Sequence, residues 1–414
     1  MNGERSLHSV RKLACRGIYF AVWSASEMTM SALIECDIAI VGGGLAGGLT
    51  AYALSVKRPD VSVRLVDPST TFGGNHIWSF FTSDIAAEDR WIVEPFIDHR
   101  WDRYETRFPA HKRTLPSPYN SIRSVNYDRR LRSVLPDKVA VLGKAVQLSQ
   151  NAVYLSDQRR IVAGGVIDAR GVADLEHLDF GWQKFVGQEY RTSVPHGLAH
   201  PIVMDATVDQ IDGYRFVYAL PFADDRIFIE DTYYSDGPEI DREAMISRIQ
   251  DYARAQEWVL AELLHEEIGA LPVTMGGDFD AYWRSGGEAA KIGVRAALFH
   301  GTTGFSLPEA VRTAAMIAKL DDFSGPAIAD AMHVFAKRRW EAGGFYRLLD
   351  RMLFRAAAPD KRYRVLQRFY GLNPALIARF YAGNTTFLDK ARILSGKPPV
   401  PIARAMSVMR EPKR

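Results

Sequence analysis

The sequence predicts an α/β protein in which a nucleotide-binding domain, built from separated segments, is interleaved with an antiparallel-sheet domain and followed by a basic helical region. Three observations predict it. The stretch DIAIVGGGLAGGLTAYAL (residues 37–54) reads as a strand, a glycine turn and a helix. The middle of the chain carries successive short runs rich in β-branched and aromatic residues. From Ala327 onward the pattern is helical, broken by turns at AGGF, AAAP, GLNP and SGKPPVP.

Residues 1–33 are expected to be a disordered or non-native extension. Arg11, Lys12 and Arg16 before GIYFAVWSAS faintly echo a signal peptide. Export is discounted, because a nucleotide-binding strand follows almost at once and Met28 and Met30 are plausible starts. The apolar run Ile38 to Val41 then leads into Gly42, Gly44 and Gly47, the G-x-G-x-x-G spacing. The first glycine permits the tight turn, the second lets backbone approach a pyrophosphate, and the third lets helix and strand pack closely. The helix ends near Pro59, VSVRLVD forms the next strand, and Asp67 at its end is placed to accept from ribose hydroxyls. An acidic residue there favours an unphosphorylated adenosine ribose, and the spacing serves FAD and NAD alike.

FGGNHIWSFF (residues 72–81) demands a turn through its glycines and Asn75, and its aromatics suit a core. GGVIDARG (164–171) is a further buried strand with a glycine turn at Gly171. KIGVRAALFHGTTGFSLPEAVRTAAMIAKL is a strand, a Gly-rich loop and a helix beginning at Pro308. Between these, QKFVGQEYRTS, PIVMDATV, RFVYALPF and RIFIEDTYYS are successive strands, the last two joined by a hairpin across ADDR. DREAMISRIQDYARAQEWVLAELL (241–264) is a long amphipathic helix, and GALPVTM returns as a strand. The nucleotide-binding domain is therefore expected over 34–77, 123–181 and 290–326. The antiparallel domain takes 78–122 and 182–289, and the helical region 327–414.

Hydrophobic residues make up 47% of the 414 and charged residues 24%, as in an ordinary folded protein. The only cysteines, Cys15 and Cys36, have no metal or redox spacing and suit a reducing cytoplasm. Net charge is +3, but from Lys337 onward 18 Lys and Arg face 5 Asp and Glu. That basic end is either a solvated helical face or a seat for an anionic membrane surface; nucleic acid ranks lower, because no binding motif accompanies the charge. No window reaches the roughly 18 uncharged apolar residues that a spanning helix requires.

Metal hydrolysis and serine catalysis have no support, since HExxH, Cys/His clusters and G-x-S-x-G are missing from the sequence. The distinctive polar pair is Glu230 and Asp231 inside apolar RIFIEDTYY. With a strand period of two, Phe228, Glu230 and Thr232 share one face, and Ile229, Asp231 and Tyr233 the other. The pair is either a strand end whose acids meet solvent or a carboxyl held among aromatics with a raised pKa, which is a general acid.

The segments DIAIVGGGLAGGLTA, GGNHIWSFF, FVYALPF, IEDTYY, TTGFSLPEAV, FYRLLDRMLFRAA and FLDKARILSGKPPVPI, in this order, resemble the bacterial lycopene beta-cyclases over nearly all of Cys36 to Ala405. The resemblance implies a Rossmann-type FAD-binding domain in a fold like that of the aromatic hydroxylases and geranylgeranyl reductases. Gly42, Gly44, Gly47 and Asp67 would hold FAD, with Gly74, Asn75 and Gly171 around it and Thr302, Thr303 and Gly304 against the flavin. TTGFSLPEAV replaces the Gly-Asp loop of flavin hydroxylases, which argues against ordinary hydroxylation. GTTGF departs slightly from the proline-led, tyrosine-containing form of the family.

By the same resemblance, Glu230 and Asp231 are catalytic in a redox-neutral cyclisation of lycopene to β-carotene through γ-carotene, with FAD reduced at the expense of NAD(P)H. Either Glu230 or the reduced flavin delivers the first proton. Trp78, Phe216, Tyr218, Phe228 and Tyr233 are the candidate substrate-binding residues. A cytoplasmic protein resting peripherally on the inner face of the membrane is expected, near other carotenoid enzymes. The rival functions are a flavin-dependent hydroxylase or reductase of isoprenoids and a non-catalytic FAD-binding scaffold.

Overall fold

The computed structural model describes residues 33–172, 174–396 and 399–409. Apart from Leu33, the expected extension lies outside these residues, as do Cys15, Met28 and Met30. Leu33–Val41 is the central strand of a seven-stranded sheet, flanked by Val63–Asp67 and Arg160–Asp168, both parallel to it. Ala140–Leu142 extends one side in parallel, Ala290–Lys291 adds to Arg160–Asp168, and the hairpin strands Ala145–Leu148 and Ala152–Leu155 close the other edge. The helix Leu45–Lys57 is apolar around most of its circumference because it is sandwiched between this sheet and the helix Leu307–Ile317. Gly47 makes the close packing possible: a Cβ there would stand 1.9 Å from the Gly42 carbonyl oxygen.

The second seven-stranded sheet runs Leu260–Gly277, Leu178–Thr192, Arg226–Ser235, Tyr214–Ala223, Ile202–Asp205, Tyr104–Phe108 and His111–Leu115. Neighbours are antiparallel except Ile202–Asp205 with Tyr104–Phe108. A small sheet of Ile77–Phe81, Tyr119–Arg123 and His99–Trp101 stands apart from the two large sheets in strand pairing.

Several expectations are corrected. The helix expected over 241–264 stops at Ala255, because Glu257 turns the backbone into the left-handed region (φ 61°) and buried Trp258 stacks edge-on against Tyr252. Residues from Leu260 onward instead pair along the whole of Leu178–Thr192. The strand expected from Lys291 is only Ala290–Lys291; Gly293 (φ 62°) turns the chain into a short 3₁₀ helix, Gly293–Ala296. Five expected domain boundaries fall inside elements: Leu33–Val41, Ile77–Phe81, Tyr119–Arg123, Leu178–Thr192 and the helix Gly325–Ala342. Ile328, Met332 and Ala336 of that helix belong to the core of the nucleotide-binding domain.

Much of the basic end faces inward. Arg362, 1% exposed, donates to the carbonyls of Tyr234 (3.0 Å) and Phe354 (2.8 Å) and to Asp236. Arg355 pairs with Asp179, Arg379 with Asp389, and Arg339 with Glu309. Arg355 and Arg362 bolt the terminal helices to the antiparallel sheet, whereas Arg339, Arg379 and Arg368, which donates to the carbonyl of Ile393, tie helices to one another.

Candidate active site

Between the glycine turn and one face of the antiparallel sheet lies a cavity of about 760 Å³. At the first end, Gly42 adopts φ 111°, and Gly44 and Gly171 look into open space, with nothing within 4 Å of a Cβ built on either. Backbone N–H groups at the start of Leu45–Lys57 and Leu307–Ile317 both approach the cavity, so two positive helix ends converge there. Asp67 lines it, accepting from the N–H of Gly43 (2.6 Å) and of Ser69 (2.8 Å). Gly74, Thr303 and Gly304 also line it. Three expected cofactor residues lie behind this wall. Gly47 is used in packing, Asn75 donates to the Glu266 carbonyl (2.6 Å), and the Thr302 carbonyl accepts from Tyr234 (2.9 Å).

At the other end the antiparallel register builds the wall. Tyr218 pairs with Glu230, Glu230 with Gly187, and Gly187 with Glu267, so four strands contribute one rung. Directly paired residues project to the same face, and here Tyr218, Glu230 and Glu267 all line the cavity. Phe228, two residues before Glu230, leans over Gly187, where a Cβ would come within 2.2 Å of its ring. Phe216 and Trp78 complete an aromatic enclosure. Tyr218 hydroxyl shares a hydrogen bond with Tyr119 (2.9 Å).

Glu230 lines the cavity, and burial first, then the facing Glu267, pushes its carboxyl up to about 8; the hydroxyl of Thr232, donating at 2.5 Å, opposes the shift. It is therefore a protonated acid at neutral pH. Asp231 and Tyr233 point the other way, as the period-two reading requires. Asp231 meets Arg215 (2.7 Å) and accepts from Tyr233 (2.6 Å), and Tyr233 accepts in turn from Arg248 (2.9 Å). Neither lines the cavity: Asp231 and Tyr233, expected as a catalytic residue and a substrate contact, lie on the rear face of the strand, from where the Asp231 charge adds to the rise of the Glu230 pKa.

The sequence reading passed over Glu267 and His76. Glu267, 4% exposed, accepts from the Ile77 N–H (3.0 Å) and contacts His76 Nδ1 (2.9 Å). The only signal was a histidine within the glycine turn of FGGNHIWSFF, because Glu267 lies in the segment just beyond an overextended helix.

A family model described as lycopene cyclase protein matches residues 37–407. The lycopene beta-cyclase of Pantoea ananas is 46% identical over 374 residues, 90% of this chain and 97% of that protein. The lycopene beta-cyclase of Paracoccus sp. (strain N81106 / MBIC 01143) is 41% identical over 387 residues, 91% of this chain and 97% of that protein. Among solved structures, a geranylgeranyl bacteriochlorophyll reductase-like protein from Thermoplasma acidophilum superposes with TM-score 0.60 at 12% identity, covering 91% of this chain and 100% of that one. The p-nitrophenol 4-monooxygenase of Pseudomonas putida DLL-E4 gives 0.59 at 15% identity, covering 85% and 99%. At these identities the structural likeness concerns the fold alone.

Proposed function

This chain belongs to the lycopene cyclase family, and from that premise we propose that it closes the ψ ends of lycopene into β-rings, giving β-carotene by way of γ-carotene. The observation that carries this reading is Glu230, a carboxylic acid kept protonated on the wall of an aromatic cavity. Its proton adds to the CH carbon of the terminal alkene and leaves a tertiary cation on the carbon that bears the two methyl groups. The π pair of the neighbouring alkene attacks that cation, forming the ring bond, and loss of a ring proton restores a double bond. Substrate and product are isomers, so no electrons are gained or lost. The faces of Phe228, Tyr218, Phe216 and Trp78 stabilise the positive charge as it moves.

The glycine end fits FAD. Gly42 and Gly44 with the start of Leu45–Lys57 would hold the pyrophosphate, Asp67 the adenosine ribose, and Thr303 and Gly304 the flavin end. Bound in its reduced form, the flavin supplies an electron-rich surface for a cation without net electron transfer, and NAD(P)H is the proposed reductant. Glu230, with its proton already in place, is the first donor in this reading.

Lycopene is nearly insoluble in water and has to arrive from a membrane. Among the described residues no helix is long and apolar enough to cross one. The short helices Phe387–Leu394 and Ile402–Ser407 leave Phe387 82%, Leu388 77%, Ile402 66% and Met406 63% exposed, beside exposed Arg392 and Arg404. Peripheral seating of these helices on an anionic surface, within reach of other carotenoid enzymes, follows.

Expression in cells that accumulate lycopene tests the function. β-Carotene is the expected pigment, with γ-carotene as a transient. Oxygenated or hydrogenated products would instead favour a flavin-dependent oxidoreductase; the two solved structures of similar fold are, by name, a reductase-like protein and a monooxygenase.

A further inference from the structure

A ring closure started by an acid needs a second group to take the departing proton, and the rung that carries Glu230 ends in another carboxyl. We propose that Glu267, held by His76 and the Ile77 N–H, is the base that removes the ring proton, and that His76 passes this proton to solvent. The inference rests on the cyclase reading above.

Geometry supports it in three ways. Glu230 and Glu267 are both partners of Gly187 and face the same cavity, two interstrand spacings apart, about 10 Å between their backbones. That separation leaves room for a polyene end between them, whereas adjacent strands would press the two carboxyls together. Gly187, with no side chain, lets the Phe228 ring lie over the middle of the rung, so an aromatic face stands on the cavity wall between the two carboxyls, where a cation would pass. Finally, the surroundings of the two acids are opposite. Glu267 accepts from a backbone N–H and lies against an imidazole, and the His76 pKa is raised chiefly by this contact. Glu230 has a single hydroxyl donor and no cation. Acid and base are thus assigned by environment.

The protons balance. Glu230 loses one to the terminal alkene, the ring C–C bond forms and leaves a cation on the adjoining methyl-bearing carbon, and the alkene carbon that has just made the new bond gives its proton to Glu267 as its C–H electron pair becomes the ring double bond. Glu267 returns to carboxylate through His76, whose side chain is 50% exposed, and Glu230 is reprotonated from solvent before the next ring. Each ring takes up one proton and releases one.

The test uses FAD-loaded protein with lycopene in liposomes made in D₂O. Wild-type protein should place one deuterium in each β-ring; failure to form any β-ring would sink the cyclase reading itself rather than this inference. Glu267→Gln should keep the flavin spectrum and slow β-ring formation by about a hundredfold, the usual loss for a general base. Because protonation survives while the correct deprotonation does not, deuterium should appear in recovered lycopene, or rings with a displaced double bond should form. Glu267→Asp should restore β-rings in part, and His76→Gln should slow turnover without changing ring type. A purely structural role would lower the amount of folded protein without labelling lycopene. Normal β-ring yield with unlabelled lycopene in Glu267→Gln would overturn the proposal. Should that variant lose FAD, the same label in lycopene recovered from His76→Gln and Glu267→Asp decides: its appearance supports the base, its absence from both refutes it.

Discussion

Burial raises the Glu230 carboxyl more than any neighbouring charge does, and this has a consequence for stability as well as for catalysis. A carboxyl whose folded pKa lies above its unfolded value stabilises the fold fully below the unfolded value, and that contribution is lost as pH rises through the folded one. For Glu230 the window runs from 4.5 to about 8. Glu230→Gln keeps the shape, has no charge to bury and has no proton to give. Ring closure should fall at least about a hundredfold. Across the same window the thermal stability of the variant should gain on wild type by up to about 1.4 kcal/mol per pH unit. A variant that tracks the wild-type pH profile would show that Glu230 is not the buried neutral acid. Asp231→Asn should differ in kind: it weakens the buried pairing with Arg215, so it lowers the melting temperature while the folded fraction keeps most of its activity.

At the scale of elements, the glycine turn separates ligand contact from helix packing within six residues. Gly44 has open space where its Cβ would be, whereas Gly47 has the Gly42 carbonyl at 1.9 Å. Gly44→Val should therefore fold and melt close to wild type as apoprotein, yet purify without flavin, because the new side chain stands where a pyrophosphate would approach. Gly47→Val should lose the fold itself. Full flavin occupancy in Gly44→Val, read from the visible spectrum, would displace the cofactor site. The antiparallel strands use glycine differently. Gly181, Gly187 and Gly269 each sit beneath a phenylalanine ring, those of Phe354, Phe228 and Phe185, so the missing side chains let the rings approach the sheet, and Phe228 and Phe185 thereby shape the cavity wall.

For the molecule as a whole, the uneven charge has two uses that the sequence alone merges. Arg339, Arg355, Arg362 and Arg379 meet internal partners and fasten the terminal helices. Lys361, Arg364, Arg392 and Arg404 remain exposed. Reversing Arg392 and Arg404 to Glu should weaken attachment to vesicles containing anionic lipid in a salt-dependent manner. Phe387→Ser with Leu388→Ser should weaken it at any salt, since that part is apolar burial. Both sets should leave the flavin spectrum unchanged. Vesicle binding indifferent to both sets would return these helices to the status of a solvated face.

The sequence by itself determined the local features. Glycine spacing in 42–47 specified the turn, because only backbone without side chains can bend and pack there. Strand alternation in 226–235 put Glu230 and Asp231 on opposite faces, because a pleat has a period of two. Tertiary structure alone decided what those faces meet. Leu260–Gly277 carries good helix formers at its start, yet it became a strand because the long edge of Leu178–Thr192 offered it hydrogen bonds along its length. That pairing brought Glu267 onto the Glu230 rung and against His76, 191 residues away in sequence. No local pattern encodes such a meeting, since it depends on the register of three strands and on the turn that delivers the histidine. The same holds for the basic end: composition counts the cations, but only packing determines which of them are buried against carbonyls and which face the solvent.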